Sequence, residues 1–293
     1  MATVAIMDGG GVSVIIAAHR AHDTIARAVS SLLAQGWTDW EAVVVSDDGT
    51  DYRATLAAAG LADPRLVFTG TGRVGAGAPA ARNAGLRAAV KPLVAPLDAD
   101  DRFLPDRLAR LAPLALRHGA AVDNVAVVRD RDGAPLSTLF PPGALPEDGT
   151  ATLDADGFLA TSVPMFPVVR RDLVPGWEED VTFCDDVVFN VQLIDRAGPL
   201  PLVRRPLYEY RQREGSITFS ADAGDRAERC YRHVLARLAG DGLRIADPSL
   251  RRRFAAALEA KRALNAAYEA AHKAGRCANF QEFLALRTNS LAG

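Results

Sequence analysis

Val12-Ser13-Val14-Ile15-Ile16-Ala17-Ala18, then Ala42-Val43-Val44-Val45 running into Ser46-Asp47-Asp48-Gly49-Thr50, then Leu66-Val67-Phe68, decide the fold. Each is a short β-branched or continuously apolar run, the pattern of a strand buried on both faces. Between the first two, Asp23 or Thr24 can cap a helix whose Ile25, Val29, Leu32 and Leu33 share one face, and Gln35-Gly36 closes it. A second helical stretch runs through Gly60 to the third strand. Strand, helix, strand, helix with short connections predicts βαβ units: an α/β fold with a mostly parallel sheet flanked by helices.

On the N-terminal side, residues 1–11 end in Gly9-Gly10-Gly11 and read as a loose leader. On the C-terminal side, the glycine-rich segment Gly70 to Gly77 leads into a helix with Arg82 and Asn83 near its start. Arg82 suits either a surface position or one facing an anion. There is no phosphate-loop Lys-Ser/Thr pair and no G-x-G-x-x-G opening a helix after the first strand, which disfavours the nucleotide folds built on those loops. Leu93 to Leu97 is a further buried strand, and it delivers Asp98, Asp100 and Asp101 at its C-terminal end, with a helix expected at or near Pro105. Open α/β sheets bind ligands at the carboxyl ends of their strands. Closely spaced carboxylates there suit Mg2+ or Mn2+ shared with a substrate diphosphate. The same carboxylates would also serve as caps for the following helix.

Leu104, Leu108, Leu111 and Leu114 form a helical core stripe. Val122 to Val128 and Ala134 to Phe140 flank Asp130-Arg131-Asp132-Gly133, a hairpin signal. Asp154-Ala155-Asp156-Gly157 precedes a short helix and reads as a cap rather than a site. Met165 to Val169 is predicted as a strand, Asp185 to Ile194 as a helix stopped near Gly198, and Leu207 to Thr218 as a strand breaking into a polar loop. The carboxylates of Asp185 and Asp186 sit where a helix dipole favours anions. From about residue 221 the composition turns to Ala-, Arg- and Leu-rich helix, at Ala227 to Leu238, Pro248 to His272 and Phe280 to Leu286. These helices are expected to pack on the core or to offer an oligomer or acceptor surface.

Charge is balanced, 34 basic against 36 acidic residues, and the one basic run, Arg251-Arg252-Arg253, reads as a solvated helical turn. Nucleic acid is therefore not expected as a partner. Cys184, Cys230 and Cys277 are scattered without metal-ligand spacing, which fits a reducing compartment. No apolar run has the length of a membrane span and no secretory signal opens the chain, so a soluble cytoplasmic protein is expected, with a peripheral visit to the membrane's inner face left open.

Taken in order, these blocks resemble the inverting GT-A glycosyltransferases of family 2. Ser13-Val14-Ile15-Ile16-Ala17-Ala18-His19-Arg20 is similar to the opening strand that usually reads S-V-I-I-P-A-Y-N. Glu41 to Asp51 resembles the E-x-V-V-V-D-D-G-S-x-D block. Ala81-Arg82-Asn83-Ala84-Gly85-Leu86 with Leu97-Asp98-Ala99-Asp100-Asp101 resembles A-R-N-x-G-L and the following D-x-D. Trp177, Asp185-Asp186, Leu207 to Arg211 and Ser216-Ile217-Thr218 resemble the acceptor-side half. The resemblance implies a GT-A domain over 12–220, with a nucleotide-binding half at 12–101 and an acceptor-side half at 102–220, and a helical appendage at 221–293.

It also implies a reaction: transfer of a sugar from a nucleoside-diphosphate sugar, UDP-linked by preference, to a hydroxyl of a carbohydrate, lipid-linked or small-molecule acceptor, in polysaccharide or glycoconjugate synthesis. Ala17 and His19 would lie beside the base, with Asp47 or Asp48 on its hydrogen-bonding edge. Arg82 would reach base or diphosphate. Asp98 would face the ribose and metal-bound water, and Asp100 would be the direct ligand of Mn2+ or Mg2+. Asp186 is the expected catalytic base, with Asp185 second, and Arg211 and Arg213 would supply charge to the diphosphate as the loop to Thr218 closes. Three positions depart from the family pattern. Ala17 and His19 replace Pro and Tyr, the acceptor-side pair is Asp-Asp, and no His lies between His118 and His233 to serve as a late-loop metal ligand. A nucleotidyltransferase, or a relative that binds nucleotide sugars without turnover, are the competing expectations. The first would show a basic glycine-rich loop where Ala18-His19-Arg20-Ala21-His22 stands.

Overall fold

The computed structural model describes residues 10–141, 143, 150–161, 164–213, 223–277 and 283. Two compact units divide the chain, residues 1–213 and 214–293.

The first unit is an α/β domain. Strands β1 (Val12–Ala18), β2 (Trp40–Ser46), β3 (Leu66–Gly70) and β4 (Leu93–Pro96) alternate with helices α1 (Ile25–Leu33), α2 (Tyr52–Ala58) and α3 (Ala78–Ala88). There follow β5 (Arg102–Phe103), α4 (Arg107–His118), β6 (Ala120–Arg129), β7 (Pro135–Thr138), β8 (Thr150–Leu153), α5 (Ala155–Leu159), β9 (Val168–Arg170), α6 (Asp185–Ala197) and β10 (Leu200–Gln212). The sheet runs β3-β2-β1-β4-β9-β6-β10-β5, with β7 beside β6 and β8 beside β10. β1 pairs in parallel with β2 and with β4, β2 in parallel with β3, and β6 in parallel with β10. Among the described strands, β9 interrupts this direction in the middle, antiparallel to both β4 and β6. The order 3-2-1-4 reverses between β1 and β4, so a crevice opens at the carboxyl ends of these two strands. That crevice receives the loops after Ala18, Ser46 and Pro96.

The strands explain themselves by burial. Val12, Val14, Ile15 and Ile16 of β1 are almost completely enclosed, and α3 packs across β1, β2 and β3. The approach of α3 is close enough to need glycine: a Cβ at Gly85 would lie 2.4 Å from Ile15 Cγ2. The hairpin at Asp130–Gly133 is present, with Gly133 at positive φ and its amide bonded to the Arg129 carbonyl at 2.8 Å. Asp154 caps α5 by accepting from the Gly157 amide at 2.8 Å, as its spacing predicts.

Several boundaries differ from expectation. The helix placed at Pro105 starts at Arg107, because Arg102 and Phe103 first pair antiparallel with Glu209 and Tyr208 as the short strand β5. The strand expected over 165–169 is β9 at 168–170; Pro164 and Pro167 lack the amides a ladder needs. β8 was not foreseen, and β10 begins seven residues before Leu207. Its register against β6 slips around Pro206, and the buried Asp123 carboxylate takes up the Leu207 amide at 3.0 Å. Gly10 and Gly11 belong to the domain rather than to a leader: both are buried, and the Gly11 carbonyl accepts from the Leu93 amide. Residues 1–9, the loop from 214 to 218 and most of the stretch 280–286 lie outside the described residues.

The second unit contains α7 (Ala223–Gly240) and α8 (Pro248–Lys273), which pack on each other. Ala227, Cys230, Val234 and Leu238 of α7 and Leu250, Phe254 and Leu258 of α8 are buried, and Arg262 donates to Glu228 at 2.6 Å. None of the three cysteines is in a disulfide, and all are buried.

Candidate active site

β4 ends at Pro96, and the next residues turn through Asp98, Asp100 and Asp101 at the crevice. The three carboxylates are treated very differently. Asp101 is buried; its carboxylate accepts from the Tyr208 hydroxyl at 2.9 Å and from the Arg211 amide at 2.8 Å. Burial, then the charges of Asp100 and Asp98, push its pKa well up despite those bonds. Asp98 accepts from Arg82 at 2.6 Å, and its amide donates to the Tyr208 hydroxyl at 3.1 Å. Asp100 is held through its backbone: Arg27 of α1 donates to its carbonyl at 2.5 Å. Burial, then the Asp98 charge, raise the Asp100 pKa, while Arg213 and Arg27 pull it down from further off. Its side chain makes no hydrogen bond or ion pair with another of the described residues.

Arg82 is the hub. It lies in the first turns of α3, 8 % exposed, and its guanidinium bonds Asp98 on one side and Asp185 on the other. Burial alone would lower its pKa, but the two carboxylates override this and hold it above its ordinary value. Asp185 opens α6, so Arg82 ties α3 and the Asp98 turn to the start of α6. Its neighbour Asn83 adds a second tie. The Asn83 side chain donates to the Trp177 carbonyl at 2.8 Å and to Glu179 at 3.0 Å, and accepts from the Trp177 amide at 2.9 Å. Trp177 is buried and stacked on Phe189 of α6 at 4.5 Å, which fixes where α6 begins.

Asp186 follows in the first turn of α6. Of the pair, Asp185 is the member bonded to Arg82. Burial, then the Asp185 charge, raise the Asp186 pKa to about 7, with Arg82 opposing. Asp185 is also raised, by burial first and by Asp98, against the pull of Arg82.

At the ends of β1 and β2 the carboxylates hold protein. Asp47 is buried; it accepts from Thr71 Oγ1 at 2.9 Å, the Ala76 amide at 2.8 Å and the Gly77 amide at 2.9 Å, so it pins the glycine-rich segment. His19 faces Asp47, with Nδ1 3.3 Å from its carbonyl and 3.7 Å from its carboxylate. Asp48 accepts from the Arg20 amide at 2.6 Å, the Thr50 amide at 3.0 Å and the Tyr52 hydroxyl at 2.9 Å. Burial would raise its pKa, but those hydrogen bonds together hold it far below the usual carboxylate range. Arg20 is held at φ 51°, a left-handed conformation, as the chain leaves β1. Ala17 lies beside them at the end of β1, partly buried.

The two late arginines divide. Arg211 is spent within the protein: Nε bonds Asp130 at 2.9 Å, Nη1 bonds Glu209 at 2.5 Å, and Nη2 bonds the Asp130 carbonyl at 2.7 Å. Arg213 is exposed. Three residues that the sequence reading gave no role also shape the site. Tyr208, Arg27 and Asp130 hold the Asp98–Asp101 turn or the groups that hold it. Tyr208 lay inside a recognised block; Arg27 and Asp130 carried no signal beyond an amphipathic helix and a hairpin turn.

Among the described residues no cluster of three His, Cys, Asp or Glu has metal-site geometry. What the turn offers is one carboxylate with no partner among the described residues, Asp100, beside Asp98. Mg2+ and Mn2+ commonly use one or two carboxylates and complete their shell from phosphate and water. The donor set fits that kind of ion.

The Glycosyl transferase family 2 model matches residues 13–161, about half the chain. The succinoglycan biosynthesis protein ExoO of Rhizobium meliloti (strain 1021) is 34% identical over 222 residues, which cover 71% of this chain and 62% of ExoO; the chain thus spans less than two thirds of that relative. Among solved structures, S. aureus TarS 1-349 in complex with UDP-GlcNAc has a TM-score of 0.56 at 19% identity, covering 77% of this chain and 66% of that one. The mannosyltransferase PcManGT from Pyrobaculum calidifontis, in complex with GDP-Man and Mn2+, has a TM-score of 0.52 at 20% identity, covering 90% and 79%.

Proposed function

The chain belongs to glycosyl transferase family 2, and on that premise we propose that it is an inverting glycosyltransferase. It would move a sugar from a nucleoside-diphosphate sugar, UDP-linked by preference, to an acceptor hydroxyl. The observation that carries the reading is the Arg82 bridge. It joins Asp98, at the carboxyl end of β4, to Asp185 at the start of α6, next to Asp186, whose raised pKa supports its reading as the base.

In this account the donor lies across the ends of β1, β2 and β4. Ala17 and His19 flank the base, while Asp47 and Asp48 shape its pocket through the segments they pin. Asp100, with Asp98 beside it, would hold a divalent ion. Such an ion, when bound, neutralises charge on the departing diphosphate and orients it. Arg213 faces the same region from the end of β10. The Asp186 carboxylate removes the acceptor hydroxyl's proton as that oxygen bonds the anomeric carbon. The bond from that carbon to the diphosphate breaks on the opposite face, which inverts the centre. A base whose pKa lies near 7 suits this step at neutral pH, since about half of it is deprotonated there and it accepts a proton readily.

ExoO is named for succinoglycan biosynthesis, and the fold neighbours hold UDP-GlcNAc and, with Mn2+, GDP-Man; these support polysaccharide or glycoconjugate assembly and a metal-bound nucleotide sugar. Three buried cysteines, none in a disulfide, fit the cytoplasmic face of the cell. No helix among the described residues is long and apolar enough to cross a membrane, and a lipid-linked acceptor would be met at the membrane surface.

The test is Asp186→Asn, read as nucleoside diphosphate release from UDP- and GDP-sugars offered with a panel of acceptors. General-base removal typically costs about 100- to 10,000-fold. We expect such a loss with nucleotide binding retained. An unchanged rate in Asp186→Asn would overturn the assignment of the base.

A further inference from the structure

We infer that Tyr208, a fully enclosed residue of β10, positions the carboxylates of the Asp98–Asp101 turn for a divalent cation. This rests on the glycosyltransferase reading above and assigns a role to a residue that cannot touch substrate, since it is 0 % exposed.

The Tyr208 hydroxyl does two things at once. It accepts from the Asp98 amide at 3.1 Å and donates to the Asp101 carboxylate at 2.9 Å. One oxygen thereby fixes the first and last members of the turn against each other, and Asp100 between them is left as a carboxylate with no hydrogen-bond or ion-pair partner among the described residues. Asp101 is held from its other oxygen by the Arg211 amide, so it cannot swing toward Asp100.

The ring that carries the hydroxyl is itself immobilised. It stacks on Phe166 with centroids 4.0 Å apart and planes within 6°, and meets Phe103 of β5 at 5.7 Å. The Arg107 guanidinium lies over Phe103 at 4.2 Å and over Tyr208 at 5.2 Å. Arg107 is fixed in turn by Asp123 of β6 at 2.8 Å and by the Phe166 carbonyl. A rigid column therefore runs from the core of the acceptor-side half to the backbone of the donor-side turn. Such support matters most where few ligands come from the protein. Groups that orient a metal ligand typically contribute 10- to 100-fold in metal affinity. Two carboxylates with no histidine between His118 and His233 make a site of that kind.

The experiment is Tyr208→Phe, which keeps the ring and its stack and removes only the hydroxyl. Mn2+ is titrated calorimetrically into native and variant protein saturated with UDP, or with GDP where the native protein prefers it. The Mn2+ dissociation constant should rise at least tenfold, and turnover lost at limiting Mn2+ should return at saturating Mn2+. Phe166→Leu, which keeps the hydroxyl but loosens the ring, should shift the constant in the same direction by less. Folded Tyr208→Phe with a Mn2+ constant within twofold of native would overturn the inference, whatever its melting temperature, because a purely structural tyrosine would lower stability alone. Native protein that binds no Mn2+ with either nucleotide would overturn both this inference and the metal reading beneath it; the two failures are told apart by the native titration.

Discussion

Replacing Arg82 by Met removes the guanidinium from between Asp98 and Asp185 while keeping much of the side chain's apolar bulk. Two carboxylates that faced a buried cation would then face each other and Asp186 across a partly closed site. Leaving one side of a buried ion pair uncompensated costs about 3–5 kcal/mol. In a unit of this size each kcal/mol moves Tm by about 2–4 °C, so Tm should fall by roughly 6–20 °C at pH 8. The loss should shrink in acid. Asp185 and Asp186 already have folded pKa values above their ordinary range, and Asp186 reaches about 7. At these two groups the native state thus binds more protons than the unfolded chain between about pH 4 and 7, and their contribution to stability falls as pH rises through that window. Removing Arg82 raises both values further and deepens the dependence. Urea denaturation of native and Arg82→Met at pH 5.5 and pH 8 would show it. A loss under about 1 kcal/mol at pH 8, or one that is the same at both pH values, would show that Arg82 does not offset the Asp98 and Asp185 charges.

The acid limb of kcat/KM should have a midpoint near pH 7, with rate rising as Asp186 loses its proton, and Asp186→Asn should abolish the limb along with most of the rate. Asp123→Ala strands the Arg107 guanidinium in the core beside an unpaired Leu207 amide, so urea melts should show a loss of about 3–5 kcal/mol. Asp47→Ala frees the Ala76 and Gly77 amides and Thr71; about 1–3 kcal/mol of stability should go, and nucleotide titrations should show weaker binding as the 70–77 segment loosens. Gly85→Ala drives a methyl against Ile15, and thermal melts should register about 1–3 kcal/mol of overpacking.

Much of the fold was legible because its signals are local. β-Branched runs such as Val12–Ala18 and Ala42–Val45 can satisfy little else than a buried strand, and short links between them leave few topologies. β5 and β8 were hidden because two- and four-residue strands are made by the partner strand β10, not by their own sequence. The placement of the candidate carboxylates was legible; their pairing was not. Asp98, Asp100 and Asp186 could be picked out as carboxylates at strand and helix ends. That Arg82 would clamp Asp98 to Asp185, the latter 103 positions beyond Arg82 itself, could not, since nothing local encodes which carboxylate an arginine meets. The same holds for Asp47 and Asp48: their motif announced a site, while the geometry shows their oxygens occupied by the loop amides around them. Arg211 followed the same course, drawn to Asp130 and Glu209 by a hairpin whose turn gave no hint of it.

The most direct measurement is thermal stabilisation by UDP, GDP, CMP and dTDP, each with and without Mn2+, on native protein and on Asp100→Ala. The account predicts a shift with a nucleoside diphosphate, UDP foremost, that requires Mn2+ and disappears in Asp100→Ala. No metal-dependent shift with any nucleotide, or one that survives in Asp100→Ala, would contradict it.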